Sequence, residues 1–202
     1  MNWLARLIVT SAEKEYSRAT KGLFTAWGLV VWELVVPATL ILAGIGADRL
    51  LGLRLDPDPD ARWVVGGAAF ILGQVFILWT LADQVRLSGG TPAFKAPPKR
   101  LLVSGPFAWC RNPMVFGYLL YYYGLAFAVT SPVALLGLFP ALHLLALSVI
   151  VHVEEVELEQ RFGPAYLAYK STVNRLLPLP PSRRSRLGAS RPPGEDAPQP
   201  GV

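Results

Sequence analysis

From Asn112 to Val153 the chain runs 42 residues without an Asp, Glu, Lys or Arg. A transmembrane helix needs about 20 apolar residues, so this length accommodates two crossings if a turn divides them. Thr130-Ser131-Pro132 supplies the turn. A hairpin returns its two ends to the same side of the bilayer. Arg111-Asn112-Pro113 at its entry and Glu154-Glu155 at its exit then reach similar depth, although they are distant in sequence. A polar cluster at the mouth of such a hairpin is a place where a charged cofactor can be held.

Two further apolar stretches, residues 23–46 and 63–82, precede the hairpin, whose own arms are residues 114–129 and 133–153. Only 16% of the residues are charged, against about 25% in soluble domains. The segments flanking the apolar runs fix a topology. Residues 1–22 carry Arg6, Lys14, Arg18 and Lys21 around an apolar face of Trp3, Leu4, Leu7 and Ile8, the pattern of an interfacial segment. Residues 83–113 carry Arg86, Lys95, Lys99, Arg100 and Arg111 against Asp83, whereas residues 47–62 are net acidic. Basic loops face the cytoplasm. The expectation is an all-α integral membrane protein with about four transmembrane helices and both termini cytoplasmic, in the cell membrane. No secretory signal peptide is expected. Residues 154–178 read as a C-terminal amphipathic helical segment broken near Gly163-Pro164. Residues 179–202, rich in Pro and Arg, read as a disordered basic tail. The membrane-embedded unit is therefore residues 23–178. The net charge of +5 is accounted for by topology and anionic lipid headgroups, with no nucleic-acid motif.

Polar residues inside the spans are costly and need partners. Glu33 is one, open to a role with substrate or to pairing with another buried polar group. Gln74 is placed for an interhelical hydrogen bond, and Gly66, Gly67 and Gly73 for close helix approach. Pro37 is placed to kink the first span. Tyr118, Tyr121, Tyr122 and Tyr123 cannot all share one face. His143 reads as a buried hydrogen-bonding residue. His152, three positions before Glu155, reads as sharing its face. The Asp56, Asp58 and Asp60 run reads as a solvated outer loop, because no His or Cys joins it; no metal site is expected. Cys110 reads as a passive thiol.

The stretches GGTPAFKAPPKRLLVSGPFAWCRNPMVFGYLL and EEVELEQRFGPAYLAYKSTVNRLLP, joined by the apolar hairpin, resemble the isoprenylcysteine carboxyl methyltransferase family and the related phospholipid methyltransferases. The resemblance covers about residues 84–178. Asn112 stands where the family commonly has His, and Val115 where it has an aromatic residue. The later element follows more fully: Glu154, Glu155, Leu158, Phe162, Gly163, Tyr166, Tyr169, Val173, Arg175 and Pro178. The resemblance implies a membrane methyltransferase using S-adenosylmethionine from the cytoplasmic side and an amphiphilic or lipidic substrate from the bilayer. Its name suggests a carboxylate acceptor, as in isoprenylcysteine O-methylation; phospholipid or other amine or thiol methylation is the alternative.

Within that resemblance Arg111, Glu155 and Arg175 are the expected catalytic residues. Asn112, Pro113, His152, Glu154, Glu155 and Tyr166 are the expected cofactor contacts. The chemistry is compatible: carboxylates attract ammonium groups, arginines hold carboxylates, and aromatic faces favour a sulfonium. Asn112 is an amide and a poor base, so proton abstraction is not assigned to it. A transporter or scaffold lined by Glu33, Gln74 and His143 is the competing non-enzymatic reading. No obligate protein partner is evident.

Overall fold

Pro37 shapes the first span. The structure, a computed structural model, describes residues 9–10, 15–88, 91 and 97–180; the expected interfacial segment and basic tail lie mostly outside these. Helix α1 (Arg18–Leu29) is capped by Ser17, whose hydroxyl accepts from the Thr20 amide at 3.1 Å. It runs through a π-helical turn (Val30–Val35) into α2 (Val36–Leu51). Proline has no amide hydrogen, so carbonyls one turn earlier lose their donor. Two tyrosines replace it: the Tyr122 hydroxyl donates to the Trp32 carbonyl at 2.6 Å and the Tyr121 hydroxyl to the Glu33 carbonyl at 2.7 Å.

Helix α3 (Pro59–Leu87) starts where Asp58 accepts from the Ala61 amide at 2.9 Å, with Pro59 in the first turn. Asp58 thus caps a helix. Helix α4 (Pro113–Ala128) packs antiparallel against α3. Backbone meets backbone at two levels: a Cβ on Gly73 would lie 2.5 Å from the Tyr121 nitrogen, and one on Gly124 would lie 2.6 Å from the Gly66 oxygen. Glycine is required there because nothing larger fits. Gly67, expected to do the same, has open space around it.

After α4 the chain turns at Thr130 (φ 55°) into α5 (Phe139–Val149), which is preceded and followed by π-helical turns at Ala134–Leu138 and Ile150–Glu154. Asp48, at the start of the net-acidic stretch 47–62, is buried near the end of α2 and apart from the Asp56–Asp60 run. It accepts from the Ser131 hydroxyl and from the Val133 amide, the latter at 2.9 Å. Its carboxylate satisfies one of the free amides that start the next helix and orients Ser131, whose hydroxyl accepts from the Ala134 amide at 3.2 Å. Helix α6 (Glu155–Thr172) continues from there and bends at Gly163, whose φ of 50° and ψ of −128° only glycine adopts readily.

Three stretches are long and apolar enough to cross a membrane among the described residues: Arg18–Leu51, Pro59–Leu87 and Ala134–Thr172. Their outward faces expose Leu23, Trp27, Leu34, Ile71, Leu136 and Leu144, the surface of an integral membrane protein. The expectation of four such helices is corrected. Helix α4 has 16 residues, about 24 Å of rise, against a hydrocarbon core of about 30 Å. Its apolar sequence is shorter than the bilayer, and it is held by α3.

Within the bundle the two isolated polar residues find each other. The Gln74 side chain donates to Glu33 Oε2 at 2.7 Å. His143 is buried, with Nδ1 at 2.8 Å from the Phe139 carbonyl.

Candidate functional site

The Arg111-Asn112-Pro113 segment and the end of α6 are tied by main-chain bonds. The Arg111 amide donates to the Asn174 carbonyl at 2.8 Å and the Asn112 amide to the Arg175 carbonyl at 3.1 Å. The Asn112 side chain donates to that same Arg175 carbonyl at 3.0 Å. It therefore does not cap α4; Pro113, which needs no amide partner, opens the helix buried against its neighbours. The Tyr169 hydroxyl donates to the Phe107 carbonyl at 2.7 Å, closing the same corner. Cys110 is fully buried inside it, and burial pushes its thiol up to about 11, opposed by a backbone hydrogen bond from Asn112.

Glu155 is the electrostatic centre. Its carboxylate, 4% exposed, meets Arg111 at 3.0 Å, Lys170 at 2.8 Å and Arg175 at 2.8 Å. Lys170 also meets Glu159 at 2.7 Å. Such crowding holds the carboxylate charged and fixes the arginines. It also leaves Glu155 little capacity to act as a free base or to receive a ligand's cation. Arg111 donates Nη1 to the Lys170 carbonyl at 3.3 Å, so two of its three nitrogens are engaged; its Nε is buried without a partner among the described residues.

Beside this network lies a cavity of about 170 Å³. Its polar wall includes Gln84, Arg100, Arg111, Asn112, Glu154 and Glu155; Phe107, Ile150, Leu158 and Tyr166 are among its apolar lining. Glu157 also reaches it, but is paired with Arg161, which in turn donates to the Pro98 carbonyl. Glu154 has no ion-pair partner among the described residues. The cavity wall thus presents an unmatched donor (Arg111 Nε), an unmatched acceptor (Gln84 Oε1) and an unpaired carboxylate.

Of the residues singled out from sequence, Arg111, Asn112, Glu154, Glu155 and Tyr166 meet at the cavity. Arg175 touches it through Glu155, and Pro113 is a packing residue one step behind. His152 does not join them. It is exposed, with Nδ1 at 2.9 Å from the Ser148 carbonyl. The π-helical turn Ile150–Glu154 alters the α-helical phase on which its alignment with Glu155 was reckoned. Gln84, Arg100 and Lys170 were not singled out. Lys170 lies beyond the Gly163 bend, where helical periodicity carries no information about direction. Gln84 had a readable signal: it is a neutral hydrogen-bonding residue at the C-terminal end of an apolar span.

The family model for "Phospholipid methyltransferase" matches residues 61–165. No curated protein and no solved structure matches the chain. The matched stretch is just over half of the sequence and carries α3, α4, α5 and the first part of α6. It includes Gln84, Arg111, Asn112, Glu154 and Glu155 on the cavity wall and stops before Tyr166, Lys170 and Arg175. The chain belongs to the phospholipid methyltransferase family and is an S-adenosylmethionine-dependent methyltransferase of the membrane.

Proposed function

We propose that the chain methylates the amine of a phospholipid headgroup at the cytoplasmic face of the cell membrane. The observation that carries this reading is that the family match spans the main walls of the cavity. The sequence-based emphasis on an isoprenylcysteine carboxylate moves to second place accordingly. The residues suit the methyl donor: unmatched donor and acceptor atoms line the cavity beside aromatic rings and a carboxylate. When bound, S-adenosylmethionine supplies an electrophilic methyl group on a cationic sulfur.

The chain's own work is alignment and charge placement. Glu155 locks Arg111 and Arg175 in position. Asn112 joins its main chain and side chain to the Arg175 carbonyl and so holds that corner rigid. Glu154, unpaired, attracts an ammonium headgroup and takes the proton that the amine must lose before attack. Tyr166 and Phe107 give an apolar wall that excludes water. Arg18, Lys21, Arg86 and Arg100 lie toward this end of the bundle, while the acidic turn before α3 lies at the other, which supports a cytoplasmic site and anionic-lipid contacts. A carboxylate acceptor has one point in its favour, the three cations gathered around Glu155.

Purified chain in lipid nanodiscs, given methyl-labelled S-adenosylmethionine, separates the two. Aminophospholipid nanodiscs should acquire base-stable label. Label appearing only on an isoprenylcysteine acceptor, and released as methanol by base, would overturn the amine reading.

A further inference from the structure

Gln84 sits in the last turn of α3, and its position is fixed. Ser88 closes that turn, its amide donating to the Gln84 carbonyl at 3.1 Å. The Ser88 carbonyl then accepts from the Lys99 and Arg100 amides at 2.8 and 3.2 Å, clamping the loop that forms the cavity's next wall. On this rigid mount Gln84 Oε1 is buried and has no donor among the described residues. A buried amide oxygen without a donor is destabilising, and such a group on a cavity wall is a place that a ligand completes.

The same wall carries the opposite need. Arg111 spends Nη1 on the Lys170 carbonyl and Nη2 on Glu155, and keeps Nε unmatched. Glu154 adds a carboxylate with no ion-pair partner among the described residues. A single hydroxyl could satisfy one donor and one acceptor. It would leave the Glu154 carboxylate without an ionic partner, whereas the charge of Arg111 is already met by Glu155 and only its Nε still lacks an acceptor. A ligand end carrying an ammonium and an anion a few atoms apart matches all of these groups.

We propose that Gln84 and Glu154 form the ammonium side, and Arg111 Nε the anion side, of a subsite for a zwitterionic ligand end. The inference rests on the methyltransferase reading of this cavity and adds Gln84 as a ligand-contacting residue. Two molecules carry such an end: the aminoacyl portion of the methyl donor and the ethanolamine phosphate of an aminophospholipid.

The test uses the full chain in nanodiscs with Gln84→Leu and Gln84→Glu. Binding of S-adenosylhomocysteine is compared with that of 5′-methylthioadenosine, which lacks the aminoacyl portion. If the donor occupies the subsite, Q84L weakens S-adenosylhomocysteine by about 10- to 100-fold, the range for a charge-assisted hydrogen bond. Binding of 5′-methylthioadenosine then stays unchanged. If the headgroup occupies it, both nucleosides bind as before, and KM for phosphatidylethanolamine rises about tenfold with kcat unchanged. In either case Q84E keeps affinity to within about threefold, because a carboxylate also accepts from an ammonium.

Three results overturn the proposal: Q84L changing nothing, Q84L weakening both nucleosides equally, or Q84E binding more weakly than Q84L. The last would place an anion at position 84. Wild-type chain that binds neither nucleoside would instead overturn the siting of the donor in this cavity. That failure is separate from wild-type binding with unaffected variants.

Discussion

Replacing Glu155 by Gln keeps its shape and removes its charge. Three cations then face an amide that can accept from one of them and turns a competing NH₂ toward the rest. Their losses are unequal. Arg111 is 7% exposed and stays in place as a buried, uncompensated charge. Breaking a buried pair in this way costs about 3–5 kcal/mol. Lys170 and Arg175 are 32% and 40% exposed; each can turn to water, so each loses only about 0–1 kcal/mol. The expected destabilisation is about 3–5 kcal/mol, most of it from Arg111. Arg111→Met alone leaves a buried carboxylate, but one still held by Lys170 and Arg175, so it costs less. The double variant should be more stable than the sum of the singles predicts, with a coupling of about 1–3 kcal/mol. Reversible unfolding in mixed micelles, followed by circular dichroism, measures all three variants. Additive losses, or a Glu155→Gln loss under about 1 kcal/mol, would refute the view that this pair organises the site.

Other expectations can be checked on the same purified chain. Gly73→Ala should cost about 1–3 kcal/mol, because its Cβ would meet the α4 backbone. Gly67→Ala, with open space around it, should be neutral or stabilising by up to about 1 kcal/mol in the same unfolding assay. Gln74→Leu strips the donor from Glu33 Oε2 and should cost about 1–3 kcal/mol, with much of the loss recovered in the Glu33→Leu/Gln74→Leu pair. Cys110 should resist maleimide at pH 7.5 in the folded chain and react quickly once unfolded. With its thiol pushed up to about 11, the reactive thiolate is scarce until the solution is strongly alkaline. Rapid native labelling would show that corner to be open.

What could be read from sequence follows a physical division. Partnerships forced by the membrane were legible. Hydrocarbon offers no water, so Glu33 and Gln74, each an isolated hydrogen-bonding side chain in its span, had strong reason to pair, and they do. The meeting of Arg111-Asn112 with Glu155 followed from the hairpin alone, since two antiparallel helices return the chain to the end of the bundle at which it started. The break at Gly163-Pro164 was legible from residue type, but its direction was not. Lys170 and Arg175 reach Glu155 only because of that direction.

The length of α4 shows why counting apolar residues overestimated the spans. Its 16 residues are no less apolar than those of its neighbours; they are fewer. A short helix is tolerable when its backbone is covered along its length, and the glycine contacts of α3 with α4 supply that cover. On the opposite wall Ile150, Glu154, Glu157 and Leu158 recur at helical spacing and line the cavity together. In that stripe the carboxylates of Glu154 and Glu157 lie between Ile150 and Leu158. A lipid could thus enter with its chains on the apolar side and its headgroup among the charges, which is the arrangement that methyl transfer to a phospholipid amine requires.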